Sequence, residues 1–301
     1  MKILPFFLTY SNLKPINMKT NKLLAVLIFL PVILASCDPD EPQITKVNGD
    51  GELVTQTLYL INFDKMYVYD NYITSLNWFQ DKYYLDITAE SSLVPYIVTE
   101  VNDNVLTIKD KDYYELVFEK PLLVNVYAPN EPEVVLNDVS RLNIYNYANE
   151  SVVLYVKDKA RAVVKNSTIT DFKIIAANSG VLEIDTINCN TLDINLSVSA
   201  KGYINTIKVE SLKVKSTTAA DCTFSGTAED AVLVINSSGS INAIDLEVQT
   251  CTFSSDNSGD LYVNVKDKLS GTILGSGNVY YTGKANVDDV VIKGSGSLIK
   301  L

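Results

Sequence analysis

Small residues recur along the second half of the chain, at Ser179-Gly180, Ser199, Ala219-Ala220, Ser238-Gly239, Ser258-Gly259, Ser276-Gly277 and Ser295-Gly296, in steps of 18 to 20 residues. Each step holds two or three short alternations of apolar and polar residues, as in GVLEIDTINCNTLDINLSVS and GDLYVNVKDKLSGTILGS. Period-two alternation marks a strand with one buried face. A spacing near twenty with one small corner per step marks a β-solenoid, in which each coil covers the apolar face of its predecessor. Glycine at such a corner is expected to supply a positive φ. About seven coils are legible in this way. A sandwich or meander also turns every 8 to 12 residues or so. Hairpin signals such as Asn-Gly or Asp-Gly, however, are nearly absent after Asp50-Gly51.

The rest of the chain agrees with an all-β class. After Leu53 no stretch sustains helical spacing, while alternation returns at Leu85-Ile87, Val105-Leu106-Ile108, Val124-Val126 and Val232-Val234. The expected organisation is a signal segment at 1–36, a lipidated acidic tether at 37–52, an N-terminal β-region at 53–136 and a solenoid stack at 137–301.

The signal segment rests on Lys19 and Lys22 followed by the uncharged run LLAVLIFLPVIL, with Met18 as the expected true start. That run of about a dozen residues is too short to span a bilayer. Leu34-Ala35-Ser36-Cys37 directly after it resembles the lipobox of bacterial lipoproteins, which implies lipid on Cys37 and a membrane partner. The stretch DPDEPQITKVNGDG, from Asp38 to Gly51, reads as a flexible tether. Its early acids, Asp38, Asp40 and Glu41, resemble those of surface-exported lipoproteins of Bacteroidetes. The cell surface is accordingly favoured over a periplasm-facing position on the outer membrane.

Loss of the signal removes Lys2, Lys14, Lys19 and Lys22 and no acid, so a net charge of −11 becomes −15. With lysines scattered among acids, nucleic acid is not an expected partner. Cys189, Cys222 and Cys251 form an odd set, read as buried small hydrophobes with a single disulfide as the other option. In the repeated Cys-Thr-Phe-Ser at Cys222 and Cys251, Cys and Phe share one strand face.

Two stretches, YYLDITAESSLVPYIVTEVNDNVLTIKD (Tyr83 to Asp110) and LSGTILGSGNVYYTGKANVDDVVIKGSGSL (Leu269 to Leu298), resemble the auto-transporter adhesin head GIN domain family. The paired Gly-Ser-Gly motifs around Tyr281-Thr282-Gly283 carry most of that resemblance, which runs from about Tyr59 to Leu298. It implies an exported Bacteroidetes-type protein with an N-terminal strand region and a right-handed parallel β-helix. The family's glycine-rich corners are missing from Asn137 to Asn178. An adhesin label follows from shape, and a fold does not confer a function.

The chain has no histidine, which removes the commonest general base and most zinc sites. No catalytic residue, metal or cofactor is expected. Gly275-Ser276-Gly277 lies between strands with no following helix, so it does not read as a phosphate cradle. The acids at Asp256 to Asp260 and at Asp288-Asp289 lack the ligand density of a calcium site.

Aromatic residues are the anomaly. Thirteen of eighteen tyrosines fall between Tyr59 and Tyr155, with adjacent pairs at Trp78-Phe79, Tyr83-Tyr84 and Tyr113-Tyr114. On a strand each pair sends one ring inward and one outward. Outward rings suit sugar faces or a protein partner. Arg141 and Arg161, twenty residues apart, would sit on adjacent coils, with Asp138, Asp158 and Asp171 as nearby acids. These residues are the ligand-binding candidates. The leading reading is a non-enzymatic, adhesin-like envelope lipoprotein that presents a binding face to a glycan or to an envelope or matrix protein. A polysaccharide lyase or hydrolase built on the two arginines is the alternative, and a structural spacer or homo-oligomer the third reading.

Overall fold

The computed structural model describes residues 43–79, 81–130 and 132–301. The expected signal segment and Cys37 lie outside the described residues. Among the described residues there is no α-helix; a single 3-10 turn at Val94–Tyr96 carries Pro95 near its start.

The N-terminal strands are short: β1 (Thr45–Asn48), β2 (Leu53–Tyr59), β3 (Lys65–Val68), β4 (Ile73–Trp78), β5 (Tyr84–Glu90), β6 (Ile97–Asn102) and β7 (Val105–Asp110). They continue as β8 (Tyr114–Val117), β9 (Leu123–Ala128), β10 (Glu133–Leu136), β11 (Arg141–Tyr145) and β12 (Ala148–Val156). Long bent strands follow, one per coil: β13 (Arg161–Ala176), β14 (Val181–Leu196), β15 (Lys201–Thr218), β16 (Asp221–Ser237), β17 (Ile241–Ser255) and β18 (Leu261–Ile273). The last coils shorten to β19 (Val279–Gly283), β20 (Val290–Ile292) and β21 (Leu298–Lys300).

From β13 onward the coils stack in chain order and in parallel. Arg161 faces Val181, which faces Lys201, which faces Asp221. Later steps tighten: Cys222 faces Ile241, Leu261 faces Val279, and Val279 faces Leu298. Alternation sends Leu182, Ile184, Ile187, Leu192, Ile194 and Leu196 of β14 into the core. Each such side chain contributes about 1.5–3 kcal/mol of burial. The alternation breaks where two neighbours both face outward, at Asp185-Thr186 and Asn190-Thr191, and there the coil bends.

The bends correct the expectation for glycine. One left-handed column runs through Asn146, Asn166, Thr186 and Thr206, with Gly226 following opposite Ile207 after a register shift, and a second through Asp138, Asp158, Asn178 and Val198. Asn and Asp tolerate that conformation, so they hold the early bends. The corner glycines serve close approach instead. A Cβ on Gly259 would lie 2.0 Å from the Gly239 carbonyl oxygen, one on Gly277 2.1 Å from that of Gly259, and one on Gly296 2.0 Å from that of Gly277. In the earlier coils this same column is filled by Ser140, Ala160, Gly180, Ala200 and Ala220, all buried, so small side chains alternate there with a single glycine.

At the N-terminal end the coils are out of chain order. β3 pairs in parallel with β7 on one side and β10 on the other, and β4 likewise with β9 and β11. The coil formed by β7 and β9 therefore lies outside the one formed by β3 and β4, although it comes later in the sequence. Parallel stacking thus reaches back to Lys65, across the division expected at 137. Antiparallel strands close the far end: β6 covers β7, β5 covers β9, and β2 covers β5. An open strand edge is a template for unwanted pairing, and these strands occupy it.

The tether expected at 37–52 is not free over its last part. β1 pairs in parallel with β8, Thr45 facing Tyr114. Asp50 accepts hydrogen bonds from the Ser91 hydroxyl and, at 3.1 Å, from the Ser92 N–H. Glu90, 1% exposed, accepts from the backbone N–H groups of Gly51 at 2.6 Å, Glu119 at 2.8 Å and Lys120 at 3.2 Å. Polar groups that read as linker in the sequence are thus consumed in docking.

All three described cysteines are free and buried. Cys222 shares an inward face with Phe224, and Cys251 with Phe253. Burial pushes the Cys189 and Cys251 thiols up to about 12, with the carboxylate of Asp171 adding to the effect at Cys189.

Candidate binding surfaces

The antiparallel cap carries the first surface. Cross-strand register aligns Tyr59 on β2, Tyr84 on β5, Tyr127 on β9 and Asn77 on β4 in one row. Leu85, Val126 and Leu76 fill the opposite, core-facing row, so the tyrosines face out. Tyr84 and Tyr127 stack with centroids 4.3 Å apart and planes 6° from parallel. Phe79 stands edge-on to both, at 5.4 Å and 6.4 Å, and Tyr59 lies 6.2 Å from Tyr84. Tyr59 is 77% exposed, Trp78 51% and Phe79 42%. Partial burial, then Tyr127 and the Asp86 carboxylate, raise the Tyr84 hydroxyl above its ordinary value.

The inward–outward rule holds for one of the three aromatic pairs. Tyr83 packs edge-on against buried Phe63 at 5.2 Å while Tyr84 faces outward. Trp78 ends β4 and Phe79 lies beyond it, so strand alternation no longer separates them and both are exposed. Tyr113 precedes β8 with φ of 69° and is exposed, whereas Tyr114 rests on Tyr96 at 4.7 Å under the Lys111 ammonium. The Tyr113–Tyr114 pair is therefore separate from the Tyr84–Tyr127 patch.

Arg141 and Arg161 are direct neighbours on adjacent coils, and both are exposed. Arg161 pairs with Glu183. The acids read as their partners have other work. Asp138 accepts from the Asp70 N–H at 3.2 Å, Asp158 from Asn178 at 2.8 Å, and Asp171 from Thr191 at 2.6 Å. Asp138 and Asp158 hold bends, and Asp171 lies on a different strand segment, so these residues do not converge on one point. Among the described residues no three His, Cys, Asp or Glu side chains gather as a metal site would require. Asp260 accepts from the Asn278 N–H at 2.8 Å, and Asp289 pairs with Lys268.

A second surface was not foreseen. A groove of about 590 Å³ runs across five coils from β13 to β17. One wall is the in-register row Thr168, Asn188, Lys208, Thr227, Glu247. The other lies two residues further along each coil, at Thr170, Asn190, Glu210, Glu229 and Gln249. Between them the inward-facing Ile169, Cys189, Val209 and Ala228 form the floor. The sequence signal for these walls exists only as a column, visible once the step of 20, 20, 19 and 20 residues is known.

The geometry can be set beside known proteins. Residues 62–285 match the model of the family described as "Putative auto-transporter adhesin, head GIN domain". No curated protein matches the sequence. Among solved structures, a protein of Parabacteroides distasonis ATCC 8503 described as "putative lipid binding protein" aligns with TM-score 0.65 at 20% identity, over 85% of this chain and 100% of that one. A "putative adhesin" of Parabacteroides merdae ATCC 43184 aligns with TM-score 0.62 at 22% identity, over 85% and 99%. A "putative adhesin" of Parabacteroides distasonis ATCC 8503 gives 0.59 at 21%, over 85% and 100%. At these identities the likeness is one of fold.

Proposed function

We propose, since the chain belongs to the auto-transporter adhesin head GIN domain family, that it is a non-enzymatic, lipid-anchored envelope protein whose aromatic cap patch binds a glycan or protein partner. The observation that carries this reading is the stacked Tyr84–Tyr127 pair with Phe79 edge-on to it, flanked by exposed Tyr59 and Trp78. Rings that fix one another lose little freedom when a ligand arrives, and a flat apolar face with hydroxyls at its rim suits a sugar ring. The lipobox-like Leu34-Ala35-Ser36-Cys37 supports anchoring at the outer membrane, with the cell surface favoured.

The test uses the purified chain from Asp38 onward on an array of polysaccharides and matrix proteins. Binding that falls about tenfold in Tyr84→Ala supports the reading, from the usual worth of aromatic contacts in a binding patch. Binding to nothing removes it. Turnover of a uronic-acid polymer that vanishes in Arg141→Ala or Arg161→Ala would establish the lyase reading instead. For the anchor, a palmitate analogue should label the native protein and not Cys37→Ser, and equal label in both would place the lipid elsewhere.

A further inference from the structure

The side groove has no role in the aromatic-patch reading, and its chemistry differs. It has no aromatic lining residue, so stacking does not contribute to recognition there. Most of its polar side chains are also idle. Among the described residues, no hydrogen bond or ion pair engages the side chains of Asn188, Asn190, Glu210, Glu229 or Gln249. The adjacent row shows what self-satisfied polar side chains look like on this scaffold. There Thr191 donates to Asp171 and Thr250 to Asp230, coil to coil. The groove walls leave comparable donors and acceptors open to solvent.

We propose that this groove binds a linear glycan without negative charge, laid along the stack axis, with about one sugar unit over each coil. Successive coils rise by about 4.8 Å, so five coils span about 19 Å. Each offers the same pair of outward positions two residues apart along its strand. A polymer of hydroxylated rings, each about as long as one coil rise, meets that repeat in register. Amide walls offer both donors and acceptors, and carboxylates accept from neighbouring hydroxyls, which is the complement a sugar ring presents. An extended peptide fits less well. Its recognition draws on free backbone groups at a sheet edge, and the backbone beneath this groove is already paired with the coils on either side.

Charge sets the class more narrowly. Glu210 and Glu229 stand without an ion pair, while Glu247 is paired with Lys266. Lys208 is the one basic residue lining the groove. Uronic or sulfated polymers would bring like charge against the two free carboxylates, so uncharged chains are selected over them.

The experiment takes the chain from Asp38 onward and measures affinity for uncharged β-linked oligosaccharides of two to eight units or so, beside a uronic-acid series of the same lengths. Affinity should rise with length and level off at about five units, the number that the span of the groove accommodates. The exposed double variant Asn188→Ala/Asn190→Ala should bind about tenfold more weakly, through loss of two amide contacts. Tyr84→Ala should leave groove binding unchanged, which separates failure of this proposal from failure of the aromatic patch. A second measurement needs no variant. Bound oligosaccharide should protect Lys208 from an amine-reactive reagent while leaving Lys173, on a neighbouring segment, fully reactive. No binding to any uncharged chain, preference for the uronic series, or equal labelling of Lys208 with and without ligand would each overturn the proposal.

Discussion

The early coils and the late coils solve one packing problem in different ways. Before Ala177 the chain bends at Asn and Asp in the left-handed region, fills its corner column with Ser and Ala, and lays its first two coils in reversed order. After Ser237 the corner column is glycine, the coils follow chain order, and the step keeps 20 residues from Gly239 to Gly259 before shortening to 18 and 19. The corner admits the small side chains of Ser140 and Ala160 in the early coils, whereas a Cβ on Gly239, Gly259, Gly277 or Gly296 would meet a carbonyl oxygen of the preceding coil. The difference also places the aromatic residues where the coils are irregular, since a cap of antiparallel strands has an outward face that regular coils lack.

The sharpest way to break this comparison is at the column itself. Gly259→Val should destabilise the chain by about 3 kcal/mol, because the new side chain meets the Gly239 carbonyl at its first atom. Ala160→Gly at the matching early position should cost only about 1 kcal/mol, from a lost methyl and a looser backbone. Urea unfolding of the two variants measures both, and equal losses would show that the corner does not distinguish early from late coils.

A smaller effect is expected in the cap. Tyr84→Ala should lower stability by about 1.5 kcal/mol, as one stacked and one edge-on contact disappear from a largely surface cluster. Thermal melts of this variant beside Phe79→Ala would show whether the rings act as one unit. Smaller still, and opposite in sign, is the bend at Thr186, whose φ of 61° suits a β-branched residue poorly. Thr186→Asn should stabilise by about 1 kcal/mol and make this bend resemble the one at Asn166.

The most local effect concerns Glu90. Burial pushes its carboxyl up, but the N–H groups of Lys120, Gly51 and Glu119 outweigh that and hold it below the usual carboxylate range. A lowered value means that the clasp is fully formed above the ordinary glutamate range, near pH 4.3 or so, and is lost as pH falls through the lower folded value. Hydrogen exchange at Gly51, Glu119 and Lys120 should therefore speed up only in acid, beyond the general trend. Glu90→Gln should exchange faster at neutral pH and lose that acid step.

Much of this was legible in the sequence, and the limits have physical causes. The period, the inward rows and the burial of Cys222 with Phe224 follow from alternation, which is a local property. The reversed order of the first coils does not, because parallel strands pair equally well on either edge. Residues 65–128 alternate like any other segment, and which coil lies outside is decided by connections between them. The docked tether was misread because Asp50 and Gly51 are linker residues by composition, and only Glu90, Ser91 and Ser92, far along the chain, make them a clasp. Of the aromatic candidates, Tyr84 and Phe79 entered the patch by pairing, whereas Tyr127 was missed because it has no aromatic neighbour in sequence. The groove depends on a register that shifts by one residue between β15 and β16, which no single window of sequence displays.

The docking of β1 on β8 has a consequence for reach. If the chain is held through Cys37, as proposed, the leash would end at Leu53 were it free as far as β2, but pairing of β1 ends it at Thr45, eight residues sooner. At full extension that is about 27 Å less slack. A body on a shorter leash samples a smaller volume around its point of attachment, which raises its effective concentration against anything in that same layer and lowers it for anything farther out. Opening the clasp would lengthen such a leash without changing a single residue of either proposed binding surface.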